Sequence, residues 1–368
     1  MILPYGTQYH TYPGIPGQKY SEKGMFTAES FNNLNIPENI KPTLAALSNA
    51  SITQSTWSTY QTSAKKLQEF HQETGTNIEW PISQETCLAF VGWLLDAGLA
   101  ATTVESYLSG LKKCHLTMGL NPPECITPLV STVLKGKKNL DNGEKILGNK
   151  SSRIPITPNI LKYIKQEIKD SKYSKHDKNL LWATCTICFS GGLRCGEILC
   201  KKKNSFDPAT DMLHKFIELK TINAAENLKI VQLTLRSEKQ NKSGTPTICD
   251  IYPSKSSICP VRAFIKWQNC RNFSQDDLPA FRWENGDNLT TRELNSFLQS
   301  TLKPFLQGTN KTVSGHSLRI GLASMLGVLG FADEDVMALG RWSSRVFKHY
   351  LQLPRTRRLE VARAIGNL

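Results

Sequence analysis

Apolar residues recur at steps of three and four through the first half of the chain, and this helical spacing limits what that half can fold into. The spacing predicts four helices. The first runs from Thr53 to just before Gly75, and the second runs from the N-cap Ser83 up to Gly98. The third begins at an N-cap that is Thr102 or Thr103, and the fourth runs from Pro128 to Lys138. We therefore predict a small all-helical domain over residues 50–138.

The flanking stretches differ in composition. Residues 1–49 carry proline and glycine without an apolar period, which predicts a mobile N-terminal arm. Residues 139–153 are rich in lysine, asparagine and glycine, which predicts a basic linker. Between Phe216 and Ile251, apolar residues flank a turn-prone stretch at 240–244, as in a β-hairpin with a polar tip. We predict a mixed, mainly helical second domain over 154–368, so the fold class is mainly α with a small β-sheet.

The charge balance is strongly basic. The 45 lysines and arginines exceed the 31 acidic residues, which gives a formal net charge of +14. No basic start followed by an apolar run and no long apolar stretch is present, so we expect neither a secreted nor a membrane-spanning protein. Such a charge favours polyanionic partners, of which nucleic acid is the commonest.

The ten cysteines predict reduced thiols and not a disulfide framework. Cys185 and Cys188 form the one CxxC pair, followed by Cys195 and Cys200. A metal site is the alternative, but the pair lies in an apolar run typical of a buried helix. We therefore favour core cysteines.

Two clusters in the second domain suit phosphate chemistry. In the first, Gly191 and Gly192 break a buried helix, and Arg194 then stands near the predicted start of a new helix, where its guanidinium and free backbone N–H groups can meet one phosphate. An ordinary surface pair of Arg194 with Glu197 is the alternative. In the second, His316 and Arg319 are one helical turn apart and share a face.

A third cluster is Gly340-Arg341-Trp342, and Tyr350 follows eight residues after the tryptophan. Alone, these aromatic residues fit a core role. The ordered set Gly-Gly-Leu-Arg-x-x-Glu, His-x-x-Arg and Gly-Arg-Trp with Tyr350 resembles the tyrosine recombinase (phage-integrase) family. The forms His-Ser-Leu-Arg-Ile-Gly and Gly-Arg-Trp-Ser-Ser are most similar to recombinases of eukaryotic Crypton and DIRS-like mobile elements. The resemblance covers residues 53–350 and is weaker in the helical domain.

The resemblance implies a SAM-like core-binding domain at 50–138 that clamps DNA, and a recombinase catalytic domain after it. The catalytic set that it implies is Arg194, Lys239, His316, Arg319, Trp342 and Tyr350. The two arginines would hold the non-bridging oxygens of the scissile phosphate, so we expect no metal and no other cofactor.

The resemblance also implies which residues of the set transfer protons. Lys239 matches the family's lysine at a hairpin tip and would protonate the leaving 5′-hydroxyl, with Lys242 as the alternative. Trp342 stands where most members have a second histidine, and an indole cannot titrate. The proton of Tyr350 therefore passes to His316 or to water.

Basic residues around these motifs predict contacts with double-stranded DNA. They are Lys112, Lys113, Lys137, Lys138, Lys201, Lys202, Lys203, Lys242, Arg341 and Arg345. After Tyr350, apolar and basic residues predict a tail helix, which in this family often docks on a neighbouring protomer and which here can equally pack on its own domain. We expect a homo-oligomer, with a dimer on each site and a tetramer in synapsis.

The sequence predicts a site-specific recombinase or integrase of a mobile element that joins itself to DNA through a 3′-phosphotyrosyl bond. We expect it to work in the nucleus if the mobile element is eukaryotic, and otherwise in the cytoplasm or nucleoid. Two alternatives stay open. One is a recombinase-derived protein that binds DNA without cutting it, and the other is a type IB topoisomerase, which uses much the same catalytic set.

Overall fold

The structure, a computed structural model, describes residues 26–121, 127–146, 152–225, 227–236, 246–271 and 276–342. Contacts divide the chain into two units, one on each side of the boundary between Lys150 and Ser151. Each unit has its own hydrophobic core.

The described part of the first unit is helical. Its elements are a 3₁₀ turn at Ala28–Phe31, α1 at Lys41–Ala50, α2 at Gln54–Thr74, α3 at Gln84–Asp96, α4 at Ala101–Thr117 and α5 at Pro128–Ile146. Local signals set two of the predicted limits. Gly75 ends α2 with φ +68°, a conformation that favours glycine, and the Ser83 hydroxyl caps α3 by accepting from the Thr86 N–H at 3.1 Å.

Close packing of α2 on α4 organises this core. Gly110 of α4 lies where an added Cβ would overlap Ser63 of α2, so glycine lets the two backbones approach. Phe70, Phe90 and Leu108 are buried in the same cluster. The helices thus bury the apolar faces that their spacing predicts.

The prediction of a mobile arm over residues 1–49 is wrong for residues 26–49. The 3₁₀ turn and α1 lie within it, and Phe26 and Ser30 are buried. The Ser30 hydroxyl donates to the Thr117 carbonyl at 2.6 Å, and Asn33 donates to the Gly119 carbonyl at 2.8 Å. These polar contacts with the end of α4 order a segment that has no apolar period; residues 1–25 lie outside the described residues.

Two helix limits also differ from the prediction. The N-cap of α4 is Ala100 and not Thr102 or Thr103, because the turn after Gly98, at φ +79°, leads directly into the helix. The last helix, predicted to end at Lys138, continues to Ile146, so the first half of the predicted 139–153 linker is helical. Asp141 is buried there, and its Oδ1 lies 3.2 Å from the Lys137 Nζ one turn earlier.

The second unit combines helices with two small sheets. Its helices are α6 Pro158–Asp170, α7 Lys175–Ser190, α8 Pro260–Gln268, α9 Thr291–Thr301, α10 Lys303–Leu306, α11 His316–Leu329 and α12 Asp333–Gly340. Its strands are β1 Ser152–Arg153, β2 Ile217–Asn223, β3 Leu228–Leu235, β4 Thr247–Ile251 and β5 Lys311–Thr312.

The main sheet has the order β2-β3-β4 and is antiparallel throughout. β3 and β4 are the two arms of the predicted hairpin, with Leu235 opposite Thr247, whereas β2 was not distinguished in the sequence. The second sheet pairs β1 with β5 in parallel. The predicted hairpin tip at 240–244 lies outside the described residues.

The helix α7 runs through the core of this unit, and its residues 180–189 are all buried. α11 packs on α7 and also against the segment after β1, where an added Cβ on Gly321 would overlap the Ile156 carbonyl. The predicted fold class, mainly helical with a small sheet, is confirmed. Within the described ranges, no helix is both long enough and apolar enough to cross a membrane.

Candidate active site

The C-terminal end of α7 places Arg194 at the site. α7 stops at Ser190, and Gly192 adopts φ +53° before the chain reaches Arg194. A side chain at Gly192 would meet Leu322 and Gly340, so this turn needs glycine for space as well as for conformation. Only a 3₁₀ turn at Cys195–Glu197 follows, which corrects the prediction of a new helix.

Glu197 organises the arginines at this turn. Its carboxylate accepts from the Arg194 backbone N–H at 3.0 Å, from the Arg194 guanidinium at 2.8 Å and from the Arg341 guanidinium at 2.9 Å. The predicted surface pair of Arg194 with Glu197 therefore exists, and the Arg194 N–H is not available to a phosphate. The Arg194 side chain is nevertheless 30% exposed, whereas that of Glu197 is 5% exposed.

The first turn of α11 supplies His316 and Arg319. The Gly315 N–H donates to the Asn295 Oδ1 at 2.7 Å, and the Ile156 N–H donates to the Ser317 carbonyl at 2.9 Å, so neighbouring segments fix this turn. An added Cβ at Gly315 would overlap the Cys195 sulfur, which shows that the start of α11 packs on the turn after Arg194.

Arg319 is 1% exposed and is held on two sides. Its guanidinium donates to the Gly192 carbonyl, which the positive φ of Gly192 presents to it. The guanidinium carbon lies 4.4 Å from the centre of the Trp342 ring, within the range of a cation–π contact. Trp342 thus packs on the arginine that it was predicted to accompany.

The end of α12 positions Trp342. Gly340 closes the helix, and a Cβ there would overlap the indole ring, so glycine makes room for it. Arg341 follows at φ +51° and donates to the Gly191 carbonyl at 2.9 Å as well as to Glu197. Arg341, predicted as a DNA contact, is in this conformation mostly buried and bonded to the protein.

Burial lowers the pKa of His316 to about 4, and the positive charges of Arg153, Arg319 and Arg194 add to the shift. The imidazole is therefore neutral at pH 7, the form that accepts a proton. The charges of Arg194 and Arg319 therefore both act on His316, although Arg194 and Arg319 are 125 residues apart (319 − 194) in the sequence.

Four predicted residues cannot be placed. Lys239, Lys242, Arg345 and Tyr350 lie outside the described residues, and their roles stay predictions.

The predicted DNA contacts that the structure describes differ in their surroundings. Lys201, Lys202 and Lys203 are exposed in a loop, and the Lys203 Nζ lies 3.2 Å from Asp287. In the first unit, Lys138 pairs with Glu105 at 2.6 Å, and Lys137 pairs with Asp141. Lys112 and Lys113 are half-buried, with the Lys113 Nζ 5.0 Å from the centre of the Phe26 ring.

Eight of the nine cysteines in the described ranges are buried, including the CxxC pair that was predicted to lie in the core, and Cys270 is half-buried. Cys185, Cys188 and Cys195 are buried thiols, and the Cys195 and Cys188 sulfurs lie 3.7 Å apart. Burial raises the pKa of Cys185, and the hydrogen bond with Cys195, followed by burial, raises the pKa of Cys188. Across the described ranges, no group of three or more His, Cys, Asp or Glu side chains is arranged to hold a metal ion.

Two contributions to the site were missed by the sequence analysis. Arg153, assigned to the linker, lies close enough to lower the pKa of His316. Glu197 was considered only as a partner of Arg194, yet it also binds Arg341, 144 residues away. Local spacing carries no signal for a pairing of that length.

Comparisons with known proteins agree with this architecture. Residues 44–116 match the family described as the phage integrase N-terminal SAM-like domain. No curated protein matches the sequence.

Solved structures match over most of the chain. XerH site-specific recombinase in a post-cleavage complex on a palindromic difH substrate is 12% identical, has a TM-score of 0.54, and covers 92% of this chain and 88% of that one. Its pre-cleavage complex on difH gives 14% identity, a TM-score of 0.52, and coverage of 91% and 86%. The Tn1549 transposon integrase in complex with transposon right end DNA is 15% identical, has a TM-score of 0.50, and covers 85% of this chain and 94% of that one. The chain therefore has the tyrosine recombinase fold, preceded by a phage-integrase SAM-like helical domain.

Proposed function

We propose that this protein is a site-specific recombinase that cleaves and rejoins DNA strands through Tyr350. The observation that carries the proposal is the convergence of Arg194, His316 and Arg319 at the end of α7, within a fold shared with recombinases solved on DNA. A protein that only binds DNA needs a basic surface but no such internal arrangement.

The two arginines have different places in the proposed reaction. Arg194 is partly exposed and is the first to meet the scissile phosphate, and Glu197 keeps its guanidinium in place. Arg319 is buried in the conformation described, so DNA must uncover it before it can bind the second phosphate oxygen. Together they would neutralise the charge that develops on the pentacoordinate phosphate.

The bond changes follow from the nucleophile. The Tyr350 oxygen attacks phosphorus, a 3′-phosphotyrosyl bond forms, and the bond to the 5′-oxygen breaks. Neutral His316 takes the tyrosine proton, directly or through water, and Lys239 or Lys242 gives a proton to the departing 5′-hydroxyl. The reverse steps on another strand rejoin the DNA without an external energy source.

Phosphate binding would also adjust His316. Its low pKa comes from burial and from three neighbouring arginines, and a bound phosphate offsets the arginine charges. The pKa of His316 therefore rises when DNA enters, which strengthens it as a base. Trp342 cannot titrate, and its role is to hold Arg319 by its ring face.

The biological setting is proposed from the exact residues of two sequence motifs. The His-Ser-Leu-Arg-Ile-Gly and Gly-Arg-Trp-Ser-Ser motifs favour a Crypton or DIRS-like mobile element, with integration or excision in a eukaryotic nucleus. The same resemblance favours dimers on each site and a tetramer in synapsis.

The test does not require a known target site. Nicked duplexes with a randomised central segment trap a covalent complex, because the short fragment beyond the cleavage point dissociates and rejoining fails. We expect a complex that survives denaturation with the natural chain and none with Tyr350→Phe. Binding of the pool without any covalent complex would support the DNA-binding alternative.

Lys239 and Lys242 are separated by a second substrate. A phosphorothiolate at the bridging 5′ position leaves without needing a proton. We expect this substrate to restore cleavage by Lys239→Ala to the rate of the natural chain, while Lys242→Ala needs no rescue. Rescue of Lys242→Ala alone would move the assignment to Lys242.

A further inference from the structure

A second basic site lies at the opposite end of α7 from the candidate active site. α6, α7 and α8 line an open cavity of about 810 Å³. Each helix contributes two cations about one turn apart, namely Lys165 and Lys169, Lys175 and Lys178, and Arg262 and Lys266. Three elements therefore direct six positive charges to one space.

None of these cations forms an ion pair with an acidic residue among the described residues. No aspartate or glutamate lines the cavity, and within the described ranges none of the six cations has a carboxylate oxygen within ion-pair distance. Their hydrogen bonds go to backbone carbonyls: Lys165 donates to Ser257 at 2.8 Å, and Lys178 donates to Lys169 at 2.9 Å. Backbone carbonyls orient the ammonium groups without neutralising them.

Mutual repulsion within the cluster is visible at Lys165. Its pKa is lowered by burial first, and then by the charges of Lys266 and Arg262. The Lys165 Nζ also lies 5.3 Å from the centre of the Trp182 ring, which forms part of the cavity wall. Like charges that line one cavity are stabilised by binding an anion.

We propose that this cavity binds a compact anion that carries several phosphate groups. Lysine and arginine are the usual ligands of phosphate oxygens, and the cavity has the volume of a small-molecule site. The site is additional to the proposed strand-cleavage function and stands without it. Asn179 of the cavity and Gly191 of the active site are 12 residues apart (191 − 179) along α7, which corresponds to about 18 Å.

The convergence of cations from three helices favours a compact anion over a DNA duplex. A duplex displays its phosphates along a convex backbone and neutralises rows of exposed cations. Here four of the six cations are exposed, but all six line one cavity, and the half-buried Lys165 ammonium donates to the Ser257 carbonyl and lies over the Trp182 ring. Nucleic acid is therefore the competing occupant that the test must separate.

Titration calorimetry on the full chain, with inorganic tripolyphosphate and orthophosphate as probes, tests the site. We expect tripolyphosphate to bind more tightly than orthophosphate. Arg262→Gln/Lys266→Gln should weaken tripolyphosphate about tenfold or more, since it removes two charged donors. Lys201→Gln/Lys202→Gln, which removes the same charge from an exposed loop elsewhere, should not change the affinity.

A second measurement applies if the double variant does not fold. Tripolyphosphate should protect Lys165, Lys169, Lys178 and Lys266 of the natural chain from acetylation, read by mass spectrometry, while Lys201 and Lys202 stay reactive.

Two outcomes would overturn the proposal. One is that tripolyphosphate does not bind, or that the cavity variant and the loop variant bind it equally and the cavity and loop lysines are acetylated equally in its presence. The other is that tripolyphosphate fails to bind while a duplex of arbitrary sequence binds, and the cavity variant weakens the duplex.

Discussion

The cations at the two ends of α7 are held in opposite ways. At the C-terminal end, Glu197 pairs with Arg194 and Arg341. Arg319 donates to the Gly192 carbonyl and packs on the face of the Trp342 ring. At the N-terminal end, no carboxylate lines the cavity among the described residues. A partly compensated cluster keeps its arginines in fixed positions before a phosphate arrives, as catalysis requires. An uncompensated cluster instead gains stability from the anion itself.

Arg319→Ala should have the largest effect. Loss of its guanidinium removes a donor to the phosphate, so we expect strand cleavage to fall about 10³-fold, or about 4 kcal/mol, with little loss of DNA affinity. Covalent-complex formation and DNA binding are measured on the same duplex.

Arg262→Ala is the matched control, because it removes a guanidinium of α8 from the cavity at the other end of α7. Its cleavage rate should be unchanged. A similar loss in both variants would mean that total charge, and not the position of Arg319, controls cleavage.

His316 should make folding sensitive to acid. Its pKa is about 4 in the folded chain and near 6.5 when unfolded, so the unfolded state binds the proton first. The free energy of unfolding therefore falls as the pH drops from 6.5 to 4, by at most about 3 kcal/mol from this residue.

Urea unfolding of the natural chain and of His316→Asn at pH 7 and pH 4.5 measures this contribution. The variant should lose less stability on acidification, since the other histidines are common to both chains. Equal losses would show that His316 has an ordinary pKa in the folded protein.

Glu197→Gln tests the compensation at the active-site end. A glutamine retains one acceptor oxygen but turns an N–H₂ group towards an arginine, so Arg194 and Arg341 lose their shared anchor. We expect cleavage to slow about thirtyfold, or about 2 kcal/mol.

Glu293→Gln is the control for a carboxylate that only supports a helix, since Glu293 caps α9 by accepting from the Thr290 N–H at 2.9 Å. It should cost stability without slowing cleavage by the folded chain. An unaffected Glu197→Gln would remove Glu197 from the account.

Lys266→Glu should have the smallest effect and the opposite sign. A carboxylate in the cavity relieves the repulsion felt by Lys165, so we expect stabilisation by about 0.5–1 kcal/mol at low salt. High salt should reduce the gain.

Lys201→Glu, in an exposed loop, should give no comparable gain. If Lys266→Glu destabilises the chain, the cavity cations do not repel one another as the comparison requires.

Features with a local cause could be predicted from the sequence. Gly75 and Ser83 end and begin helices through their own conformation and hydroxyl, and both positions were predicted. Arg194, His316 and Arg319 were identified by motif order, and α7 and α11 place them together because these two helices pack. The predicted roles of Tyr350 and Lys239 concern residues beyond the described ranges.

Features that depend on tertiary contacts could not be predicted. Ser30 and Asn33 are ordered by carbonyls at the end of α4, more than 80 residues away. The pairing of Glu197 with Arg341, the approach of Arg153 to His316 and the cavity between α6, α7 and α8 also join distant segments. No periodicity or short motif encodes such contacts.

The most direct test of the account identifies the residue that becomes linked to DNA. The covalent complex trapped on nicked duplexes is digested with nuclease and protease, and the modified peptide is sequenced by mass spectrometry. We predict a nucleotide attached through its 3′-phosphate to Tyr350. Attachment to another residue, or through a 5′-phosphate, would contradict the proposed site.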